Sequence, residues 1–101
     1  MVKVTFKTTT LQTCYQQQVN AVRKWGAKVA RSYVARVNVL HQVRNAAELG
    51  EFKHLRFHAL KGAMKGLHAV DLTERYRLIL KFQDQGLTVV RVEDVSKHYR
   101  D

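Results

Sequence analysis

The spacing of the apolar residues changes at Gly50, and this change limits the folds open to the chain. From Leu11 to Gly50, apolar side chains recur every three or four residues, which is the spacing along one face of an α-helix. After Gly50 they alternate with polar residues, which is the pattern of half-buried strands. Helices grouped ahead of strands predict an α+β domain.

The helical part divides into two predicted helices. The hydroxyls of Thr8-Thr9-Thr10 can cap the first helix, and Gly26 can end it. Its apolar row is Leu11, Tyr15, Val19, Val22 and Trp25. A second helix is expected from Ala27 to about Glu48. The short connection predicts that the two helices form an antiparallel hairpin.

Strands are predicted on both sides of the helices. Val2, Val4 and Phe6 alternate with polar residues and indicate a first strand, which we expect at an edge of the sheet or inserted into it. Later strands are expected around 55–59, 67–72, 76–82 and 87–92, with a hairpin turn at 84–86 and a helical turn or frayed end over 96–101. The predicted architecture is one domain, 1–101, with two N-terminal helices packed on a small antiparallel sheet.

Basic residues are concentrated in the helical part. The chain has 18 Lys and Arg against 8 Asp and Glu, a net charge of +10, and residues 1–47 contain no acidic residue. Such a charge predicts a polyanionic partner. A basic helix surface normally only faces solvent. The absence of acidic residues from this segment makes the surface a candidate for contact with RNA. Its residues are Arg23, Lys24, Lys28, Arg31 and Arg36.

Several protein classes are excluded. A single cysteine, Cys14, cannot form an intramolecular disulfide, and we interpret it as a small buried side chain. No apolar run approaches the ~20 residues of a membrane span, and the N-terminus has no signal-peptide pattern. The five histidines show no convincing metal-ligand spacing. We therefore expect a cytoplasmic protein without metal, cofactor or membrane contact.

The segment from His58 to Gly66 reads His-Ala-Leu-Lys-Gly-Ala-Met-Lys-Gly and has the most informative spacing. Glycine lets a backbone approach a phosphate closely, and lysine supplies a compact positive charge. Lys-Gly pairs are also common in solvated hairpin loops, so this pattern alone leaves a phosphate role and a plain loop both open.

Together with Tyr76-Arg77-Leu78-Ile79-Leu80-Lys81-Phe82, this segment resembles the HigB, or killer protein, branch of the RelE/ParE toxin superfamily. That branch reads His-x-Leu-Lys-Gly-x-x-Lys-Gly, an intervening strand, and Tyr-Arg-hydrophobic-hydrophobic-x-Phe. It often ends in Asp-Tyr-His, whereas this chain has Ser96-Lys97-His98 and keeps only the histidine. The element order resembles the family over nearly the whole chain, and the motifs cover about half of it.

The resemblance implies the toxin of a type II toxin–antitoxin system, a ribosome-dependent endoribonuclease that cuts mRNA and is neutralised by an antitoxin, here a helix-turn-helix protein of the HigA kind. In a metal-free reaction the 2′-OH of the RNA is the nucleophile. His58 and His98 would transfer protons, without the base and the acid being distinguished, and Lys61 and Arg77 would stabilise the phosphate. RNA contacts would come from Lys65, Lys97 and Tyr99.

Two other functions remain open. A ParE-like relative would inhibit DNA gyrase by binding it, and such proteins share the fold but lack the catalytic residues. The combination of His58, Lys61, Arg77 and His98 favours the nuclease, while the altered tail weakens that choice. A non-catalytic nucleic-acid-binding module would need only the charge.

Overall fold

Strand β4 lies at the centre of a five-stranded sheet that organises residues 2–97, the part of the chain described by the computed structural model. The strand order is β1-β5-β4-β3-β2. The strands are β1 (Lys3–Phe6), β2 (His58–Ala59), β3 (His68–Asp71), β4 (Tyr76–Phe82) and β5 (Val89–Lys97). The helices are α1 (Thr9–Gln16), α2 (Gln18–Trp25) and α3 (Ala27–Gln42), with short 3₁₀ helices at Ala46–Glu51, Lys53–Leu55 and Gly62–Met64.

The sheet is mixed, so the predicted all-antiparallel sheet is wrong at one edge. β1 runs parallel to β5, with Lys3 paired to Val89 and Phe6 to Val92, while the other neighbours are antiparallel. Parallel neighbours need a long crossover, and α1, α2 and α3 lie between β1 and the rest of the sheet in sequence. The edge position expected for the first strand is confirmed.

The predicted first helix is two helices. Gln17 has φ −129° and ψ 97°, which is extended backbone, and it separates α1 from α2. Ala21 is the buried residue of α2, whereas Val19 and Val22 of the predicted apolar row are 55% and 38% exposed. No glycine or proline occurs near Gln17, so the sequence has no breaker residue to mark the interruption. The capping predicted upstream is confirmed, because the Thr8 hydroxyl accepts a hydrogen bond from the Leu11 amide at 3.1 Å.

Helix α3 begins after Gly26 and ends earlier than predicted. Gly26 has φ 86° and ψ 163°, a conformation open essentially to glycine alone, and it joins α2 to α3. The helix ends at Gln42 instead of near Glu48. The side chain of Asn45 accepts a hydrogen bond from the Ala47 amide at 2.9 Å and caps a 3₁₀ helix instead. Asparagine competes with helical hydrogen bonds in this way.

The main core lies between the helices and one face of the sheet. Leu78 and Leu80 of β4 pack there with Val37 and Tyr33 of α3. The buried Tyr33 hydroxyl donates to the Leu11 carbonyl at 2.7 Å, and the Trp25 ring centroid lies 4.8 Å from that of Tyr33. Both aromatic side chains therefore contribute to the packing of the helices.

Two strand boundaries differ from the prediction. β2 contains only two residues of the strand predicted at 55–59, because Leu55 ends a 3₁₀ helix and Arg56 adopts a left-handed conformation. β5 continues through Ser96 to Lys97, where the sequence predicts a helical turn or frayed end. A register shift opposite Ile79 and Leu80 adds one residue to β5, so that both Val92 and Val95 face the main core.

Candidate functional site

The face of the sheet opposite the helices carries two of the predicted catalytic residues. His58 of β2 pairs with Ala69, which pairs with Ile79 of β4, and Arg77 lies two residues before Ile79 on that strand. Paired residues share a face, and alternate residues of one strand do too. His58 and Arg77 therefore lie on the same face, with Cα atoms about 12 Å apart from standard strand spacings. We call this the open face.

The connection between β2 and β3 folds over part of the open face. Leu60, Met64 and Leu67 pack against Ala69 and Ile79 in a second, smaller apolar cluster. A hydrogen bond from the Leu60 amide to the Leu67 carbonyl, 2.8 Å long, closes the base of this loop. The apolar side of the loop is therefore anchored on the sheet, and its polar residues lie on the side exposed to solvent.

The polar side of this loop holds Lys61 and Lys65, both exposed. The glycine after each lysine has a positive φ, 67° at Gly62 and 97° at Gly66, which other residues rarely adopt. The Lys-Gly pairs thus have a conformational reason within the loop itself. They present two cations beside the open face.

Arg77 is the most unusual polar residue of the open face. Its Nε atom is buried without a hydrogen-bond partner, one of two such side-chain atoms among residues 2–97. Its Nη2 atom lies 4.0 Å from the sulfur of Met64, which is a weak acceptor. A buried unpaired donor costs free energy, so the fold holds this guanidinium at a cost in stability.

His58 is exposed, and its Nδ1 atom is 2.6 Å from the carbonyl oxygen of Arg56. A carbonyl can only accept, so Nδ1 carries the hydrogen. In the neutral ring Nε2 is then unprotonated and available as a base. The resulting tautomer suits proton abstraction at Nε2.

Two residues of the open face were not predicted from the sequence. Asp71 of β3 pairs with Arg77 in the register, and its carboxylate lies 3.6 Å from the Nε atom of Arg56. Ser96 of β5 pairs with Arg77 from the other side. Neither residue belongs to a sequence motif. Because a helical turn or frayed end is expected over 96–101, the sequence does not predict that Ser96 lies in a strand. Strand register is the signal that places both beside Arg77.

Arg36 is less exposed than the other residues of the predicted basic surface. Its Nε atom donates to the backbone carbonyl of Asp71 at 3.1 Å, and the side chain is half-buried where α3 meets the end of β3. Burial lowers the pKa of its guanidinium, and the nearby Asp71 opposes that shift. The other four residues of the predicted surface, which are exposed, are Arg23, Lys24, Lys28 and Arg31.

The remaining predicted positions lie at or beyond the end of β5. Lys97 is exposed at the last residue of the strand. His98 and Tyr99 lie outside the described residues. Over residues 2–97, no three or more His, Cys, Asp or Glu side chains group as metal ligands would. None of the helices in the same range is long and apolar enough to cross a bilayer.

No protein-family model matches this sequence, and no curated protein matches it either. Solved structures do match in three dimensions. A YoeB/ParE toxin from Agrobacterium tumefaciens is 21% identical with a TM-score of 0.60, over 97% of this chain and 100% of that one. A YoeB–YefM complex from Staphylococcus aureus gives 16% identity and a TM-score of 0.61, over 98% and 99% of the two chains.

A mutant of YafQ from E. coli is similar to a comparable degree. It is 16% identical with a TM-score of 0.58, and the match covers 96% of this chain and 93% of that one. The similarity therefore spans the whole domain in each case, although the sequences have diverged widely. The chain has the fold shared by these YoeB, ParE and YafQ structures, as the resemblance to the RelE/ParE superfamily led us to expect.

Proposed function

We propose that this chain is the toxin of a type II toxin–antitoxin system and cuts mRNA on the ribosome, as HigB-type toxins do. The observation that carries the proposal is the buried, unpaired Nε atom of Arg77 on the same sheet face as His58. A guanidinium that forms no ion pair among residues 2–97, on the same sheet face as a histidine, suits a reaction that builds negative charge on phosphorus. The fold shared with solved toxins supports the same conclusion.

The reaction would use the 2′-OH of the RNA as nucleophile, without a metal ion. His58 takes the 2′ proton at Nε2, for which its hydrogen bond to Arg56 prepares the ring. Arg77 and Lys61 stabilise the pentavalent phosphorus, Lys65 binds a neighbouring phosphate, and His98 protonates the 5′-oxygen as it leaves. The P–O5′ bond breaks as the O2′–P bond forms, so the products are a 2′,3′-cyclic phosphate and a 5′-hydroxyl.

Partners follow from this proposal. A cognate antitoxin of the HigA kind would neutralise the toxin in the cytoplasm, and the YoeB–YefM complex shows that a protein of this fold is found bound to another protein. Ribosomal RNA would be contacted by four exposed cations from the segment that has no acidic residue, which are Arg23, Lys24, Lys28 and Arg31. Lys97 and Tyr99 would contact the mRNA.

The experiment is to map the 5′ ends of cellular mRNA after brief induction of the protein. We expect growth arrest with new ends inside translated regions, and loss of both in Lys61→Ala. Lys53→Ala is the matched control, because Lys53 is also exposed but belongs to the 3₁₀ helix before β2. Intact mRNA during growth arrest would reject the nuclease proposal.

A ParE-like gyrase inhibitor is the second candidate, since the A. tumefaciens structure is described as a YoeB/ParE toxin. In that case growth arrest would be accompanied by gyrase-dependent DNA breaks and intact mRNA. A non-catalytic nucleic-acid-binding module is supported by the charge of +10. Its induction would cause no growth arrest. The same induction experiment thus separates the three functions.

A further inference from the structure

The break at Gln17 opens a groove between α1 and α2. Its cavity has a volume of about 460 Å³. Helix α1 lines one wall with Thr9, Thr10, Thr13 and Cys14, and helix α2 lines the other with Asn20, Arg23 and Lys24. One continuous helix over 9–25 would set these residues along a single rod, so the groove exists because the helix is interrupted.

The residues that line the groove are polar or cationic except Cys14, although most of the exposed lining is formed by apolar carbon atoms. The hydroxyls of Thr9, Thr10 and Thr13 and the charged groups of Arg23 and Lys24 form no hydrogen bond or ion pair with any part of residues 2–97. No acidic residue occurs anywhere in the first 47 positions. Several unused donors and two cations therefore meet in one concave site.

We propose that the α1–α2 groove binds a phosphate group of an RNA strand. Three hydroxyl donors and two cations suit a tetrahedral group that has several acceptor oxygens, and hydroxyls with Arg and Lys are the usual phosphate contacts of nucleic-acid-binding proteins. A guanidinium can also donate two parallel hydrogen bonds to one phosphate. The identification of the strand as RNA rests on the proposed function, whereas phosphate binding itself does not.

Arg23 contributes more than Lys24 in this proposal. Lys24 also lines a second cavity, of about 570 Å³, whose wall includes Glu93 and Asp94 of β5. Glu93 already pairs with Lys7 and Arg91, so Asp94 is the carboxylate that competes with a bound phosphate for the Lys24 ammonium. Arg23 lines the groove without bordering that second cavity. Removing Arg23 should therefore weaken phosphate binding more than removing Lys24.

The test is an NMR titration of the purified, ¹⁵N-labelled full chain with inorganic phosphate at constant ionic strength, with chloride as the balancing anion. We expect the largest amide shifts at Thr9, Thr10, Thr13 and Asn20. Arg23→Ala should weaken binding about tenfold, the loss expected for a charge-assisted hydrogen bond. Arg75→Ala is the matched control: Arg75 is exposed on the turn between β3 and β4, so its removal takes away the same charge elsewhere.

Two further ligands identify the source of the phosphate. A short single-stranded oligoribonucleotide with 2′-O-methyl riboses lacks the nucleophile and cannot be cleaved, so it reports binding alone. We expect it to shift the same amides as inorganic phosphate and to lose affinity with Arg23→Ala. A glutamate-rich peptide should bind the groove more weakly than the oligonucleotide.

Three results would overturn the proposal. Amide shifts spread evenly over all basic residues would show nonspecific screening. An equal effect of Arg23→Ala and Arg75→Ala on phosphate binding would show that net charge alone acts. Stronger binding of the glutamate-rich peptide in the groove would assign the groove to an acidic protein. Binding of inorganic phosphate without the oligonucleotide would overturn the RNA assignment. None of these results depends on mRNA cleavage, so failure here is distinct from failure of the nuclease proposal.

Discussion

The Nδ1 atom of His58 lies 2.6 Å from the carbonyl oxygen of Arg56, two residues earlier in the chain. Arg56 has φ 50° and ψ 49°, in the left-handed region that a non-glycine residue seldom adopts. This conformation sets the direction of the carbonyl that receives the histidine hydrogen. The backbone therefore fixes the tautomer of the proposed base in the free protein.

Replacing His58 with glutamine should abolish the activity and leave the fold intact. Glutamine can keep a polar contact but cannot take a proton, and loss of a general base typically costs about 10²- to 10⁴-fold in rate. His58 is exposed, so we expect an unchanged unfolding midpoint. Mapping of mRNA ends after induction measures the effect, with His54→Gln, another exposed histidine, as the control. Normal cleavage by His58→Gln would remove His58 from the mechanism.

Arg77→Met should separate stability from activity. The change removes a buried donor that has no partner, so we expect the free energy of unfolding to stay the same or to rise by up to about 1 kcal/mol. Loss of its charge near the reacting phosphate should lower cleavage about 10²- to 10³-fold. Urea unfolding and mRNA-end mapping measure the two effects. A clear loss of stability would mean that Arg77 has a structural role instead.

Alternation along β4 correctly predicts which way its side chains point. The pattern places Tyr76, Leu78 and Leu80 toward the core and Arg77 away from it, and the main core contains these apolar residues while Arg77 lies on the open face. Arg77 and Lys81 occupy alternate positions of this seven-residue strand and set its orientation, although Ile79 is apolar and packs in the second cluster on the open face. The face of the candidate site, as well as the fold class, is therefore predictable from the sequence.

What could not be predicted depends on contacts distant in sequence. Arg36 has a solvent-facing helical pattern, yet the end of β3 provides a carbonyl that its side chain reaches. The break at Gln17 has no local signal, since its neighbours are ordinary helix residues. Ser96 comes next to Arg77 only through pairing of β5 with β4. Local propensity contains none of this information, because tertiary packing decides each case.

His68 should make the protein less stable in mild acid. The centroid of its ring lies 5.2 Å from that of Phe57, against which it stacks, and 5.1 Å from that of Phe82. Its Nδ1 atom is buried without a hydrogen-bond partner. Burial lowers its pKa below the usual 6.5, and the nearby His58 lowers it further. The unfolded chain then takes up the proton first, so stability is full above pH 6.5 and falls as the pH drops toward the folded-state value.

The measurement is the urea midpoint as a function of pH for the parent chain and for His68→Phe. Phenylalanine keeps an aromatic ring between Phe57 and Phe82 but cannot take up a proton. We expect the fall in midpoint below pH 6.5 to become shallower in the variant. The same slope in both proteins would assign the acid sensitivity to other groups.

Tyr33→Phe should lower stability by about 1 kcal/mol, the usual contribution of a buried hydrogen bond. The Tyr33 hydroxyl is fully buried and joins α3 to α1 through the Leu11 carbonyl, at 2.7 Å. Burial also raises the pKa of this phenol, so the neutral donor persists in mildly alkaline solution. Tyr15→Phe is the matched control, because the Tyr15 hydroxyl donates to Asn38 in an exposed position where water replaces the lost partner. Urea unfolding of both variants measures the difference, and equal losses would show that burial of the Tyr33 hydrogen bond adds nothing to stability.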